Sequence, residues 1–174
     1  MKAMPGATLL TIGYEGLTPS ELASLLRKHG ATRVADVRQL PLSRKRGFSK
    51  SELAATLTAN CIEYVGFPEL GTPPAVRNRY KQSGDFFRLK QDYLAYLSTQ
   101  GAAVESLHHL VAQGGCCLLC FERDAAQCHR SVLAEAIAAR NGPALQVKHI
   151  QSREGHATED GLFARNRSAS SPHA

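Results

Sequence analysis

The chain has 174 residues, 43% of them hydrophobic, and a formal charge of +6 from 21 Lys and Arg against 15 Asp and Glu. That length supports one domain with a real core, and no stretch nears the roughly 20 apolar residues a bilayer span requires. The first residues, "MKAMPGATLLTIGYEG", hold too short an apolar run for a secretory signal, and five cysteines are an odd number for a disulfide framework, so a cytoplasmic protein with reduced thiols is expected.

"ATLLTIGY" (7–14) is a short apolar run ending in Gly and predicts a buried strand. In "TPSELASLLRKHG", Thr18 is the N-cap, Pro19 opens the helix, Glu21 closes a capping box and Gly30 stops it. "TRVADV" (32–37) predicts a second strand, and "SKSELAATLTAN" a second helix opened by Ser49 and Glu52 in the same way. "CIEYV" (61–65) predicts a third strand. From Gly66 to Gly84 the chain is rich in Gly and Pro, which predicts a long excursion holding at most a short helix.

Apolar residues at helical spacing predict helices over 85–97 and 102–113. "CCLLCF" (116–121) is continuously apolar and predicts a central strand buried on both faces. A helix over 129–140 ends at Asn141-Gly142-Pro143, and "LQVKHI" (145–150) is the last predicted strand. The alternation implies an α/β, single-domain three-layer sandwich over residues 1–150, with a mostly parallel sheet of about five strands. The polar segment 151–174 lacks the apolar residues for a core and is expected to be a disordered tail.

In such sheets ligands bind where the carboxyl ends of the strands open into a crevice. The polar residues that follow the predicted strands collect there: Tyr14 and Glu15 after the first, Asp36 and Arg38 after the second, and Glu122, Cys128, His129 and Arg130 after "CCLLCF". Asp36 and Arg38 leave an extended segment on the same side, as a local ion pair or as a catalytic carboxylate with its orienting cation. Glu122 emerges from a buried strand and must find partners or keep its proton. Cys128 sits at a helix start, where unpaired N–H groups and the helix dipole favour a thiolate; the alternative is a small packing residue with His129 as a bracket between strand and helix.

Two basic segments carry more than the whole net charge: 38–50, with Arg38, Arg44, Lys45, Arg46 and Lys50, and 77–90, with five cations against Asp85. They favour an anionic partner such as a nucleotide or nucleic acid. Cys117 and Cys120 point to opposite faces of a strand, and Cys116 and Cys120 lie roughly 13 Å apart at about 3.3 Å per residue. Glu122, Cys128 and His129 together would be ligands of mixed hardness, so no metal is assigned. "TIGYEG" lacks the G-x-G-x-x-G spacing of a dinucleotide site, and no cofactor is expected.

Four motifs, "TIGYEG", "DVR" followed by "PLSRKRGFSK", "IEYVGFPELG" and "LLCFERDAAQCHR", together resemble the bacterial family called domain of unknown function 488 over about residues 8–150. The family pattern maps onto Gly13, Glu15, Asp36, Arg38, Pro41, Ser43, Phe48, Tyr64, Leu70, Gly71, Cys120, Glu122, Cys128, His129 and Arg130. Tyr14 stands where many relatives carry His. The resemblance implies a compact α/β domain with a polar site and supplies no substrate.

The reading that follows is an enzyme acting on a phosphate-bearing substrate. Arg38, Arg130 and the helix amino terminus would hold the anion, with Tyr14, Glu15, Ser43 and Arg44 around it. Glu122 or Asp36 would be acid or base, and Cys128 or His129 would activate the attacking group. A noncatalytic nucleic-acid or anion-binding module is the competing reading, and a thiol redox or sulfur-transfer protein the third.

Overall fold

The computed structural model describes residues 7–151, and the expectation of a disordered tail lies outside them. Five strands form one sheet: β1 (Ala7–Gly13), β2 (Arg33–Asp36), β3 (Glu63–Gly66), β4 (Cys116–Cys120) and β5 (Leu145–His149). Their spatial order is β3-β2-β4-β1-β5, and every pairing is parallel. Six helices cover it: α1 (Pro19–Lys28), α2 (Lys50–Ala59), α3 (Pro74–Ser83), α4 (Phe86–Leu97), α5 (Gly101–Ala112) and α6 (His129–Asn141). The expected α/β sandwich is the fold, with a sheet that is parallel throughout.

Side-chain alternation splits the core in two. Leu10, Ile12, Cys117 and Leu119 face α1 and α2, packing on Leu22, Leu26, Leu53 and Leu57. Leu9, Cys116, Leu118 and Cys120 face the other layer, against Tyr93, Leu107, Val132 and Ile137 of α4, α5 and α6. Cys117 and Cys120 thus lie on opposite faces, and all five residues of β4 are buried. The helices leaving β1 and β2 cover one face, whereas the helix leaving β4, the strand between them, covers the other. Diverging connections of this kind open a crevice at the carboxyl end of β4.

Local chemistry explains most boundaries. Thr18 and Glu21 form the full reciprocal capping box on α1. Ser49 does not cap α2 in that way: its hydroxyl donates to Glu52, which also accepts the Gly47 N–H, so Glu52 serves the preceding turn instead. The excursion after β3 holds more structure than expected, because α3 runs for 10 residues from Pro74 to a left-handed Gly84. None of its residues is buried, so it has no apolar stripe to read.

Gly13 fixes the strand end to the site. A Cβ there would sit 1.7 Å from the carbonyl oxygen of Glu122, while Tyr14 and Glu15 donate their N–H groups to the carbonyls of Cys120 and Phe121. Gly13→Ala is expected to cost about 3 kcal/mol or more, because the Cβ is fixed to its own backbone and would meet main-chain atoms of Glu122 and Arg123, so neither side can turn away. Urea unfolding of the purified variant measures this, and a loss below 1 kcal/mol would contradict the packing.

Candidate functional site

Where β4 ends, the chain turns through a short 3₁₀ segment, Ala125–Gln127, and returns so that α6 begins over the strand it has just left. Cys120 is the last residue of β4 and Cys128 the N-cap of α6, so the return brings their sulfurs to one place. Glu122, two residues beyond Cys120, extends on the same side, and its Oε2 accepts hydrogen bonds from Cys120 Sγ at 3.1 Å and Cys128 Sγ at 3.2 Å. His129 Nδ1 lies 3.8 Å from Cys120 Sγ and 3.9 Å from Cys128 Sγ. Its other nitrogen, Nε2, is 3.0 Å from the carbonyl of Val37. A carbonyl only accepts, so Nε2 carries the proton and in the neutral ring the Nδ1 lone pair faces the sulfurs. The ring also packs edge-on against Tyr93 at 5.2 Å.

These groups shift one another. Burial alone would push the Cys128 thiol up, but hydrogen bonds from Cys120 and His129, with the charges of His129 and Arg130, hold it well below the ordinary range. Cys120 goes the other way, raised by its hydrogen bond to Cys128 and by burial. Burial would lower His129, and the bond and charge of Cys128 outweigh it and raise it. Burial and the Cys128 charge raise Glu122. Of the two thiols, Cys128 is therefore the more acidic.

A cavity of about 620 Å³ opens onto this cluster. Cys120, Glu122, Cys128 and His129 line it together with Tyr14, Ser43 and Arg44, as do Gln39, Arg77, Tyr80 and Lys81. Arg77, Tyr80 and Lys81 stand three and four positions apart on α3, which gives them one face of that helix. Leu40, Leu42 and Phe121, 59%, 79% and 44% exposed, form apolar parts of the wall. The Gln39 side-chain oxygen is buried without a donor.

The other residues expected at the rim lie nearby in supporting positions. Asp36, 1% exposed, does not line the cavity. Its carboxylate is saturated by the Arg38 N–H, the Arg38 guanidinium (2.6 Å at the closest) and the Tyr64 hydroxyl at 2.7 Å. Asp36 outweighs the burial that would lower the Arg38 pKa and holds it up; burial first, and then Asp36, raises the Tyr64 pKa. Arg38 reaches the cavity wall, yet also donates to Phe48 O at 2.8 Å and to Tyr14 Oη at 3.1 Å. The Tyr14 ring stacks on Phe48 at 4.3 Å and its hydroxyl meets Ser43 Oγ at 3.4 Å, so this network props the 38–50 segment against the cavity.

Arg130 is fully buried rather than presented to an anion. It donates to the carbonyls of Glu122 and Arg123 and to Thr11 Oγ1, clamping the turn that carries Glu122. Glu15 also braces this turn, accepting the Arg123 N–H at 3.0 Å. Residues the sequence reading did not place in the site are Cys120, Gln39, Arg77, Tyr80 and Lys81. The basic run 77–90 was the one signal for the cations of α3, and only the family pattern singled out Cys120.

A parallel α/β sandwich with thiols, an imidazole and a carboxyl at the carboxyl end of its central strand defines the class. The family model described as "Domain of unknown function DUF488" matches residues 18–137, and the chain belongs to that family. No curated protein and no solved structure matches the chain. Among the described residues, no helix is long and apolar enough to cross a membrane.

Proposed function

We propose that the protein is an enzyme acting on an anionic, phosphate-bearing substrate, a nucleotide or nucleic acid. One observation carries this reading: a single cavity joins the cations Arg44, Arg77 and Lys81 to the cluster of Cys120, Glu122, Cys128 and His129. The volume suits a nucleotide or the end of a strand better than a duplex, since small-molecule sites span about 300–1,000 Å³. Phe121, Tyr80 and the exposed leucines offer faces for a base, and Gln39 Oε1 offers an acceptor to a hydroxyl or amine. The anion-holding role belongs to Arg44, Arg77 and Lys81, with Arg38 at the inner end; Arg130 and Asp36 support the site from behind.

Two measurements test this. Binding of a fluorescent adenine nucleotide and of a labelled single-stranded oligonucleotide should weaken with salt. For the oligonucleotide, an Arg77→Ala, Lys81→Ala double variant should lower the slope of log affinity on log salt by roughly 0.7 per cation removed. The protein should turn over at least one member of a panel of nucleoside mono-, di- and triphosphates and oligonucleotides, and Glu122→Gln should reduce that rate by about 10²- to 10⁴-fold with its melting temperature retained. Salt-dependent binding without turnover of any member would favour the noncatalytic module, and absence of binding would overturn the reading.

A further inference from the structure

We propose that Cys120 Sγ, Cys128 Sγ and His129 Nδ1 form a binding site for a divalent transition-metal ion of the zinc class, with a fourth position open to the cavity. The three atoms lie within 4.8 Å of one another, all on buried residues. Tetrahedral zinc with Zn–S near 2.3 Å and Zn–N near 2.0–2.1 Å requires S···N separations of about 3.6 Å. The two observed, 3.8 and 3.9 Å, need to close by only a few tenths of an ångström.

The surroundings fit a metal better than they fit three hydrogen-bonded side chains. His129 donates its Nε2–H to the Val37 carbonyl, the partner that fixes tautomer and ring direction in metal-bound histidines. The Nδ1 lone pair then has two sulfurs before it, both weak donors. Two thiolates would neutralise a divalent ion, leaving no net charge in a buried place. Two soft sulfurs and an imidazole select zinc-like ions over magnesium or calcium, which take oxygen ligands.

Cys120, Glu122, Cys128 and His129 all line the cavity, so the remaining coordination position faces the space proposed for substrate. Three protein ligands with an open fourth position are the pattern of catalytic rather than structural zinc. Glu122 Oε2, within 3.2 Å of both sulfurs, is placed to hold a water at that position. The strand-by-strand view of the cysteines missed the site because its second sulfur comes from the N-cap of α6, eight residues after the first.

The site can be tested without any substrate. Reduced protein, stripped with a chelator, is titrated with Co²⁺ alone, with Cys61→Ser as the background because Cys61 is an exposed free thiol. The expected result is one Co²⁺ per chain, with sulfur-to-cobalt charge-transfer bands and the intense visible bands of tetrahedral cobalt, displaced by one equivalent of Zn²⁺. Cys120→Ser, Cys128→Ser and His129→Ala should each weaken Co²⁺ binding at least 100-fold, and both serine variants should weaken the charge-transfer band.

For any variant that fails to fold, the parent chain supplies a second reading: Zn²⁺ should raise its melting temperature and a chelator should reverse the rise. Absence of thiolate bands in the reduced parent, retention of the bands in both serine variants, or a Cys120–Cys128 disulfide with no metal uptake after reduction would each overturn the proposal. Cobalt binding without turnover of any phosphate-bearing compound would leave the metal site standing and remove the enzymatic reading. Turnover of such a compound by a reduced parent chain that takes up no Co²⁺ would do the reverse.

Discussion

Asp36→Ala destabilises the protein by about 3–5 kcal/mol, the cost of leaving one member of a buried ion pair without its partner. Arg38 is 7% exposed and holds Asp36 through both carboxylate oxygens. With the carboxylate gone, the guanidinium remains in a low-dielectric space with only Tyr14 Oη and the Phe48 carbonyl as partners, and the Tyr64 hydroxyl loses its acceptor. Arg38→Met should also destabilise, whereas the double variant Asp36→Ala, Arg38→Met should lose clearly less than the sum of the singles, because no unpaired charge is left. Urea melts of the four proteins give the coupling energy; additive losses would mean that the pair is solvated and the burial argument wrong. Arg38, expected from the sequence as an anion holder, is a stability residue as well.

Arg130→Met removes the donors to two carbonyls and leaves the oxygens of Glu122 and Arg123 without their guanidinium. Hydrogen bonds to a charged group contribute about 1.5–3 kcal/mol each, and because these two are only partly buried and water can reach the freed carbonyls, a loss on the order of 2 kcal/mol is expected. The turn from Phe121 to Gln127 should loosen at the same time, since Arg130 ties it to the sheet side. Arg130→Lys should recover only part of the loss, because one ammonium cannot reproduce a planar fork aimed at two carbonyls. Trypsin cleavage after Arg123 separates this from a general loss of stability: it should accelerate in Arg130→Met under conditions where the rest of the chain stays intact. Unchanged cleavage at Arg123 would show that the turn is held by Gly13, Glu15 and the 3₁₀ segment alone.

Both results bear on how Glu122 is presented. Its carboxyl is positioned by a main chain wedged against Gly13, clamped by Arg130 and braced by Glu15. A conservative change at Glu122 itself disturbs none of these contacts, which is why Glu122→Gln is the variant that separates chemistry from folding.

The sheet, its two core layers and the start of the site are legible in the amino-acid order. The unbroken apolar run in "CCLLCF" made both faces of β4 buried, Thr18 and Glu21 set the start of α1, and the polar stretch before "CHR" put Cys128 at a helix N-cap. These features follow from interactions within a few residues, so they are visible in the order of the letters. The helix α3 was not legible, because no residue in it is buried and its ends are set by Pro74 and Gly84 rather than by a hydrophobic period.

Which polar residues face the cavity depends on long-range packing. Asp36 and Arg130 share the rim with Glu122 and Cys128 in sequence logic, but Tyr64, Arg38 and main-chain carbonyls consume their hydrogen-bonding capacity. Arg77 and Lys81 reach the cavity because α3 stands beside it, and Cys120 joins Cys128 because α6 starts above the strand it follows. A side chain's role depends on which groups from distant segments satisfy it, and long-range packing chooses those groups, whereas local propensity can say only where each strand or helix begins and which way its residues alternate.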